Sequence, residues 1–352
     1  MAAGSEPPLL DALKSLYHQI GHKNIHECSE SSVHTSEINN DSRTIEDCKL
    51  PLIDLNRLSL SFTEQEICKQ EIANAAATYG FFHIINHGMP KGVLERLYHQ
   101  QMTLFRQSFH IKSGNMFMNL PANSYRWGNP AAKSVGQFMW SEAFHIGASD
   151  ISNVDACNRS SFETFASGAV NLSKRIAEIL AENLGVSSCT SLFNEKCSSD
   201  SCYLRLNRYP PCHISSEVFG IMPHTDSGFL TILLQDEVGG LQLVKHGRWY
   251  NVQPVSGALT VSIGDLFEAW SNRAYKSVRH RVVAHAEKER LSLAYFYCPS
   301  YETVIEPCMS ISEHQEPQIH RKFSFGEYRK QVQLDVQSSG DKIGLSRFYK
   351  CD

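Results

Sequence analysis

The feature that most constrains the fold of this chain is a series of short strand patterns between residues 202 and 297. Runs such as CYLRLNRY, FLTILLQD and RLSLAYFY are apolar or alternate between apolar and polar residues. Tight turns separate the strands, and the clearest is His246-Gly247, between LQLVK and WYNVQPV. Several short strands joined by tight turns are typical of a β-sandwich or barrel.

Helical patterns precede and follow this strand-rich region. Thr63, with Glu66 three residues later, forms a possible capping box that would open a helix ending near Gly80. Short strand patterns, LPLIDL from Leu50 and FFHII at 81–85, lie among the helices. We therefore predict a mixed α and β chain. Its helices are predicted at 9–20, 63–79, 91–107, 160–185 and 324–333.

Three residues of the strand-rich region have the composition of a metal site. His224 and Asp226 are two residues apart, and alternate side chains of a strand face the same way, so both would point into the barrel interior. His280 opens another strand pattern. Two imidazoles and one carboxylate form the facial triad that holds Fe(II) with positions open for a co-substrate and O2. Because the chain has 16 histidines, an HxD pair alone is weak support.

A second pair of residues strengthens this interpretation. Arg290 and Ser292 also alternate on one strand, after the short charged turn that follows the His280 strand. An arginine facing into a barrel is an unpaired buried charge unless a carboxylate meets it. An inward arginine with a hydroxyl on the same face suits the distal carboxylate of a dicarboxylate co-substrate. Phe296 shares this face by its even spacing.

The composition bears on partners and compartment. The chain has 352 residues and a net charge of −4, which gives no general attraction to nucleic acid or anionic membranes. No apolar run approaches the length of a bilayer span. Eleven cysteines are scattered without a CxxC pair, and the N-terminus lacks a signal-peptide pattern. We expect reduced thiols in a cytoplasmic, and also nuclear, protein that is a monomer with a small-molecule substrate.

In the order of its motifs the chain resembles the plant 2-oxoglutarate- and Fe(II)-dependent dioxygenases. The resemblance runs from about Leu50 to Tyr349 and includes LPLIDL and YGFFHIINHG near its start. The matching motifs are His224-Thr225-Asp226, His280 and Arg290-Leu291-Ser292 for the family's HxD, H and RxS, and Asn207-Arg208-Tyr209-Pro210-Pro211-Cys212 for its NxYPxC element.

This resemblance implies a fold, a ligand set and co-substrates. The fold would be a double-stranded β-helix, or jelly roll, flanked by helices. His224, Asp226 and His280 would bind Fe(II), and Arg290 and Ser292 would hold 2-oxoglutarate. The reaction would use O2, with ascorbate as reductant, and release succinate and CO2. Tyr209 would add a hydroxyl to the 2-oxoglutarate site, with Asn207 near its iron-bound end.

The same comparison predicts a division of the chain into segments. A variable and mobile N-terminal segment would precede a helical dioxygenase region and a connecting helix. The jelly-roll domain and a C-terminal helix with its tail would follow. The predicted boundaries are 1–48, 49–160, 161–200, 201–302 and 303–352.

Within this class the chain is similar to the gibberellin 2-oxidases, and above all to their branch acting on C20 gibberellins. SYRWG from Ser124, WSEAFH from Trp140 and the long run from Pro223 to Trp249 carry this resemblance. It implies C-2 hydroxylation that inactivates the hormone. Where that branch commonly has Asp after HTDS, this chain has Gly228, and the departure bears on how the substrate fits.

A gibberellin is a rigid, apolar diterpenoid with a carboxylate, so its pocket should be apolar with a few cationic or hydroxyl groups. Tyr125, Arg126 and Trp127 are candidate substrate residues, with Arg126 pairing the carboxylate, and Phe296 is a fourth. Each has a plainer interpretation: Arg126 as a surface arginine on Trp127, and Phe296 as core packing.

Other functions remain open at the level of sequence. A dioxygenase of the same class could act on a flavonoid, an alkaloid or another terpenoid. A zinc hydrolase could use the same three ligands, although it would leave Arg290 and Ser292 without a role. A non-catalytic protein could keep the fold to bind a small molecule. His83, His87 and His145 are interpreted as hydrogen-bonded histidines of strands and turns, not as further ligands.

Overall fold

The computed structural model describes residues 4–23, 45–114, 117–121, 123–186, 193, 196–197, 200–214, 218–308 and 317–350. The predicted mobile segment 1–48 therefore lies largely outside the described residues, and within it only 4–23 and 45–48 are described. Residues 9–20 were predicted to be helical, and the helix there is confirmed. The described cysteines are all free thiols.

The helices form where apolar periodicity and a capping side chain coincide. The second helix begins one residue earlier than predicted, because its N-cap is Ser61, whose hydroxyl accepts a hydrogen bond from the Glu64 amide at 3.4 Å. The last helix begins at its own serine cap and ends at Gly340, which has φ +83°. The helices are α1 (Leu9–Lys23), α2 (Phe62–Thr78), α3 (Lys91–Phe105), α4 (Phe109–Lys112), α5 (Ala156–Asn183), α6 (Asp265–Trp270) and α7 (Phe325–Ser339).

The strands follow the alternating and apolar runs of the sequence. The predicted turn at His246-Gly247 is confirmed, since both residues have positive φ and the flanking residues Lys245 and Arg248 pair. The strands are β1 (Asp47–Cys48), β2 (Leu52–Asp54), β3 (Phe81–Ile85), β4 (Tyr125–Trp127), β5 (Glu142–Gly147), β6 (Tyr203–Tyr209), β7 (Ile221–His224), β8 (Leu230–Gln235), β9 (Leu241–Lys245), β10 (Arg248–Val252), β11 (Leu259–Ile263), β12 (His280–Val282), β13 (Arg290–Tyr297), β14 (Val304–Ile305) and β15 (Phe323–Ser324).

Two sheets enclose the interior of a jelly roll. One sheet has five strands in the order β1-β10-β9-β12-β7, and the other has eight in the order β2-β3-β11-β8-β13-β6-β5-β4. β14 and β15 form a small separate ladder. The fold predicted from the sequence, a jelly roll flanked by helices, is confirmed. The sequence did not predict β4 and β5, which lengthen the larger sheet beside β6.

Alternation along β13 divides the two faces of the larger sheet. Leu291, Leu293 and Tyr295 are buried in the main core, to which α5 contributes Phe162 and Phe165. The intervening residues Arg290, Ser292, Ala294 and Phe296 line a cavity between the sheets. Burying each large apolar side chain contributes about 1.5–3 kcal/mol, so the helix-facing residues stabilise the strand whose other face carries the site.

None of the helices in the described part of the chain combines the length and the apolar character needed to cross a bilayer.

Candidate active site

The three predicted metal ligands come together at one end of the five-stranded sheet. His224 in β7 and His280 in β12 are directly paired across the two antiparallel strands. Asp226 lies beyond the end of β7, so the prediction that His224 and Asp226 share a strand was wrong in detail. The two side chains still converge, with Asp226 Oδ1 at 3.9 Å from His224 Nε2 and 3.7 Å from His280 Nε2.

Neighbouring groups orient all three side chains. His224 Nδ1 donates to the Met222 carbonyl at 2.8 Å, and His280 Nδ1 donates to the Val278 carbonyl at 3.0 Å. Since a carbonyl only accepts, each proton sits on Nδ1 and each Nε2 keeps its lone pair for a metal. Asp226 Oδ2 accepts from Thr231 Oγ1 at 2.8 Å and Ser262 Oγ at 2.7 Å, which leaves Oδ1 directed at the imidazoles.

The protonation states also suit a metal ion. Burial, with the nearby His280 imidazole, lowers the pKa of His224 to about 3, so this ring is neutral near pH 7. Burial raises the pKa of Asp226, but the two imidazoles and the two hydroxyl donors outweigh it and hold the carboxyl below its usual range. Ligand atoms of the three residues all lie within 4.8 Å of one another. Two imidazoles and one carboxylate form a donor set that fits Fe(II).

A buried cation lies beside this triad. Arg290 is only 1% exposed, and in the described part of the chain no carboxylate lies within 4 Å of its guanidinium. One Nη donates weakly to Ser292 Oγ at 3.4 Å, and Nε has no partner within the described ranges. An uncompensated buried charge is costly. The orphaned Nε therefore fits a site built to receive a carboxylate, as the sequence predicted for Arg290 and Ser292.

Tyr209 and Asn207 lie at this cation as well. The Arg290 guanidinium carbon is 4.7 Å from the centre of the Tyr209 ring, an arrangement that favours a cation. Asn207 Nδ2 lies 3.4 Å from Ser292 Oγ. Both residues line the same cavity as the triad. The structure thus brings together all seven residues that the sequence proposed for iron and 2-oxoglutarate.

Gln235 was not predicted from the sequence, but it contacts Arg290 in the 2-oxoglutarate part of the candidate site. Its Oε1 accepts a hydrogen bond from an Arg290 Nη at 3.0 Å, and its own Nε2 has no partner among the residues that the structure describes. Gln235 is opposite Ser292 across the β8–β13 ladder. The signal was present, because Gln235 shares one face of β8 with Thr231 and Leu233 by even spacing.

The four proposed substrate residues do not lie together. Phe296 lines the cavity and stacks on Tyr203 with ring centres 4.5 Å apart. Tyr125 and Trp127 are not among the residues that line it. Trp127 packs edge-on against Phe109 at 5.7 Å. Arg126 alternates with its two neighbours on β4 and therefore faces the other way.

Tyr125 belongs to a buried network of charges. Its hydroxyl donates to Glu142, and Glu142 also forms ion pairs with Lys112 at 2.5 Å and Arg208 at 2.6 Å. Lys112 and Glu142 are fully buried, and Arg208 pairs further with Glu6 at 2.6 Å. The hydroxyl that the sequence assigned to substrate therefore has a structural partner that ties the segment before α1 to the larger sheet.

Gly228 faces the body of the protein, not the cavity. A Cβ atom built there would lie 2.8 Å from the Tyr297 carbonyl oxygen and 2.9 Å from Cys298 Sγ. Its difference from the C20-type pattern thus bears on packing at the end of β13. Two of the three extra histidines are hydrogen-bonded as interpreted: His83 bonds Thr260 Oγ1 at 3.0 Å, and His87 bonds the Gly257 carbonyl at 3.2 Å. His145 instead packs at a tilt against the Tyr203 ring, with ring centres 4.2 Å apart.

Asp265, at the start of α6, connects the two segments that carry the candidate metal ligands. It accepts hydrogen bonds from Thr225 Oγ1 at 3.0 Å, beside Asp226, and from Ser277 Oγ at 2.6 Å, shortly before His280. Lys342 Nζ pairs with it at 2.8 Å, and the Tyr328 hydroxyl donates to it as well. Its backbone amide donates to the Asp226 carbonyl at 2.9 Å. Sequence reasoning could not identify Asp265, because its partners are distant along the chain.

Asp265→Asn is expected to weaken Mn(II) binding about 10–100-fold, the usual effect of changing an outer partner of metal ligands. The variant leaves Lys342 without its counter-charge and gives the Thr225 or Ser277 hydroxyl an amide instead of a carboxylate. Calorimetric titration with Mn(II) measures the effect, and Asp11→Asn, which removes the same charge at an exposed site, is the matched control. Equal affinities in the wild type and Asp265→Asn would contradict this role.

The cavity that holds the site has a volume of about 310 Å³, at the lower end of the range typical of small-molecule sites. A larger cavity of about 680 Å³ lies between α3 and the C-terminal end of strand β8. None of the three triad residues lines it. The chemistry therefore belongs to the smaller cavity.

Comparisons with known proteins identify the family of the chain. Residues 200–299 match the 2OG-Fe(II) oxygenase superfamily, and residues 50–161 match the family described as non-haem dioxygenase in morphine synthesis N-terminal. Gibberellin 2-beta-dioxygenase 8 of Arabidopsis thaliana is 51% identical over 307 residues, covering 86% of this chain and 88% of that protein. Gibberellin 2-beta-dioxygenase 6 of Oryza sativa subsp. japonica is 45% identical, covering 86% and 85%.

Solved structures show the same architecture. JOX2 in complex with 2OG, Fe and JA superposes with a TM-score of 0.73 at 26% identity, covering 96% of this chain and 97% of that one. The rice dioxygenase for auxin oxidation superposes at 0.67 and 28% identity, covering 86% of this chain and all of that one. The chain therefore belongs to the 2OG-Fe(II) oxygenase superfamily and, within it, to the family of the gibberellin 2-beta-dioxygenases, enzymes that depend on Fe(II), 2-oxoglutarate and O2.

Proposed function

We propose that this enzyme hydroxylates gibberellins at C-2, on the β face, and so inactivates the hormone with release of succinate and CO2. The observation that supports the proposal most directly is one cavity that holds the candidate triad, an apolar wall and a buried arginine with no ion-pair partner among the described residues. The names of relatives at 40–51% identity support the substrate.

The chain's own residues would position the reactants. His224, Asp226 and His280 would hold the iron, while Arg290 and Ser292 would bind the distal carboxylate of 2-oxoglutarate and Gln235 would fix the guanidinium. When bound, Fe(II) and 2-oxoglutarate supply the oxidising chemistry that converts a C–H bond to C–OH with O2.

The wall of the cavity would hold the hydrocarbon skeleton and exclude water. Most of this wall is apolar, and it is lined by both sheets and α7, including Phe81, Met139, Ile221, Leu241, Phe296 and Val332. A pocket that is apolar with a few convergent polar groups suits a rigid diterpenoid acid.

Incubation with Fe(II), 2-oxoglutarate, ascorbate and a panel of C19 and C20 gibberellins, followed by mass spectrometry, tests the substrate. We expect a mass gain of one oxygen, located at C-2 by comparison with standards. If no gibberellin is hydroxylated while another plant metabolite, such as a flavonoid, yields product and succinate, the gibberellin proposal fails and the dioxygenase class stands.

We further propose that the enzyme is a monomer and that it is located in the cytoplasm and in the nucleus. Buried cysteines that remain free thiols support a reducing compartment.

A further inference from the structure

The cavity contains more positive charge than iron and 2-oxoglutarate require. Its cationic residues are Arg205, Arg290, Arg329 and Lys342. Arg290 belongs to the 2-oxoglutarate site, and Lys342 is paired with Asp265. Arg205 and Arg329 have no such assignment, and both are only partly exposed.

Arg205 lies on the cavity face of β6. It alternates with Asn207, whose Oδ1 accepts a hydrogen bond from Arg205 Nε at 2.9 Å. Arg126 lies on the same face of the sheet, because it is opposite Ala143 on β5, and Ala143 is opposite Asn207 on β6. Arg126 and Arg205 are therefore on one face, two strands apart, with Arg126 toward the solvent.

Arg329 approaches the same face from the other side. It lines the cavity from α7 together with Val332 and Val336, which share its helix face at spacings of three and four residues. Partial burial, together with the positive charges of Arg205 and Arg329, lowers the pKa of Arg126. Burial, together with the charges of all three arginines, lowers the pKa of His145 to about 4. We call Arg126, Arg205 and Arg329 the arginine cluster.

The arginine cluster has no anionic partner in the part of the chain that the structure describes. No carboxylate there lies within 4 Å of any of the three guanidinium groups. Arg126 donates to the Asn123 carbonyl at 3.3 Å, Arg205 to Asn207, and Arg329 forms no hydrogen bond with described residues. Guanidinium groups on one face that lack a carboxylate partner are available to bind an anionic ligand.

We propose that the arginine cluster is the substrate's carboxylate site, in which Arg205 and Arg329 bind a diterpenoid acid with two carboxylates and Arg126 receives the acid at the cavity entrance. This inference rests on the proposed function and deepens it. C20 gibberellins retain a second carboxylate where C19 gibberellins have closed it into a lactone. Two unassigned guanidinium groups inside the cavity match the dicarboxylic form, so the cluster selects C20 over C19 substrates.

Arg329→Gln tests the site most cleanly, because Arg329 has no hydrogen-bond or ion-pair partner among the described residues that the change would disturb. Calorimetric titration of the Fe(II)- and 2-oxoglutarate-loaded enzyme under nitrogen would measure Kd for a dicarboxylic C20 gibberellin and for its dimethyl ester. Steady-state assays would give KM and kcat for the same pair. A lost charge-assisted hydrogen bond predicts a rise of about 10–100-fold in Kd and KM for the acid, with kcat nearly unchanged.

The ester separates recognition of charge from structural damage. We expect the ester to bind the wild type weakly and to be unaffected by Arg329→Gln, while Arg329→Lys restores part of the affinity for the acid. Arg205→Gln should act in the same direction. Lys330→Gln, which removes a charge from the next, exposed residue of α7, is the matched control and should match the wild type.

Two results would contradict the proposed role of the arginine cluster. One is that both arginine variants bind the acid with the wild-type Kd; the other is that their affinities for the acid and for the ester fall equally. If the wild type hydroxylates no gibberellin but turns over another acid, the proposed function fails instead. The same acid and ester comparison, made with that other substrate, then decides whether the cluster binds carboxylates.

Discussion

Replacing His224 or Asp226 with alanine is expected to lower both succinate release and substrate hydroxylation by more than about 100-fold. This exceeds the loss of about 10–100-fold that is typical when a residue hydrogen-bonded to a metal ligand is changed. Each variant removes one of three ligand atoms that lie within 4.8 Å of one another. Loss of Mn(II) binding in the same variants, measured by calorimetry, would tie the lost activity to the metal.

The control for these variants is His110→Ala, since His110 is an exposed histidine in the short helix α4. Its activity should equal that of the wild type. Turnover retained by His224→Ala or Asp226→Ala, in protein that stays folded by circular dichroism, would reject the metal assignment.

Arg290→Ala is expected to raise the KM for 2-oxoglutarate by at least about 100-fold. Arg290 is 1% exposed and has no carboxylate partner among the described residues, so its hydrogen-bonding capacity is available to the co-substrate. Two charge-assisted hydrogen bonds contribute about 1.5–3 kcal/mol each, and every 1.4 kcal/mol corresponds to about tenfold. Initial rates of succinate formation across a 2-oxoglutarate series measure the change.

Arg290→Lys should recover part of the lost affinity, because it keeps the charge but not the planar pair of donors. Arg248→Ala, at an exposed position of β10, is the matched control. An unchanged 2-oxoglutarate dependence in Arg290→Ala would mean that the co-substrate carboxylate binds elsewhere.

Strand alternation explains why much of the site could be predicted from sequence. Side chains that alternate on one strand must share a face, so Arg290, Ser292 and Phe296 were correctly placed together in the interior. The order of the family's motifs indicated that His280 joins His224 in one site. The residues next to each histidine do not by themselves predict this. The five predicted helices were confirmed with ends that differ by up to six residues, and the cap of α2 is Ser61 instead of Thr63, but α4 and α6 were not predicted.

Other parts of the site depend on contacts that no local pattern encodes. Asp226 reaches the imidazoles from beyond the end of β7, because Thr231 and Ser262 hold its carboxylate. Tyr125 was assigned to substrate from its motif, but its hydroxyl is bonded to the buried Glu142. Arg329 enters the cavity from α7, and the sequence gives no indication of where that helix packs.

The most direct test of a 2-oxoglutarate-dependent gibberellin hydroxylase is to quantify succinate and hydroxylated gibberellin by mass spectrometry in the same reaction, for the wild type and His224→Ala. We expect equal molar amounts of both products from the wild type, none when 2-oxoglutarate is omitted, and neither from His224→Ala. Hydroxylated gibberellin formed without 2-oxoglutarate, or by His224→Ala at the wild-type rate, would contradict the site described above.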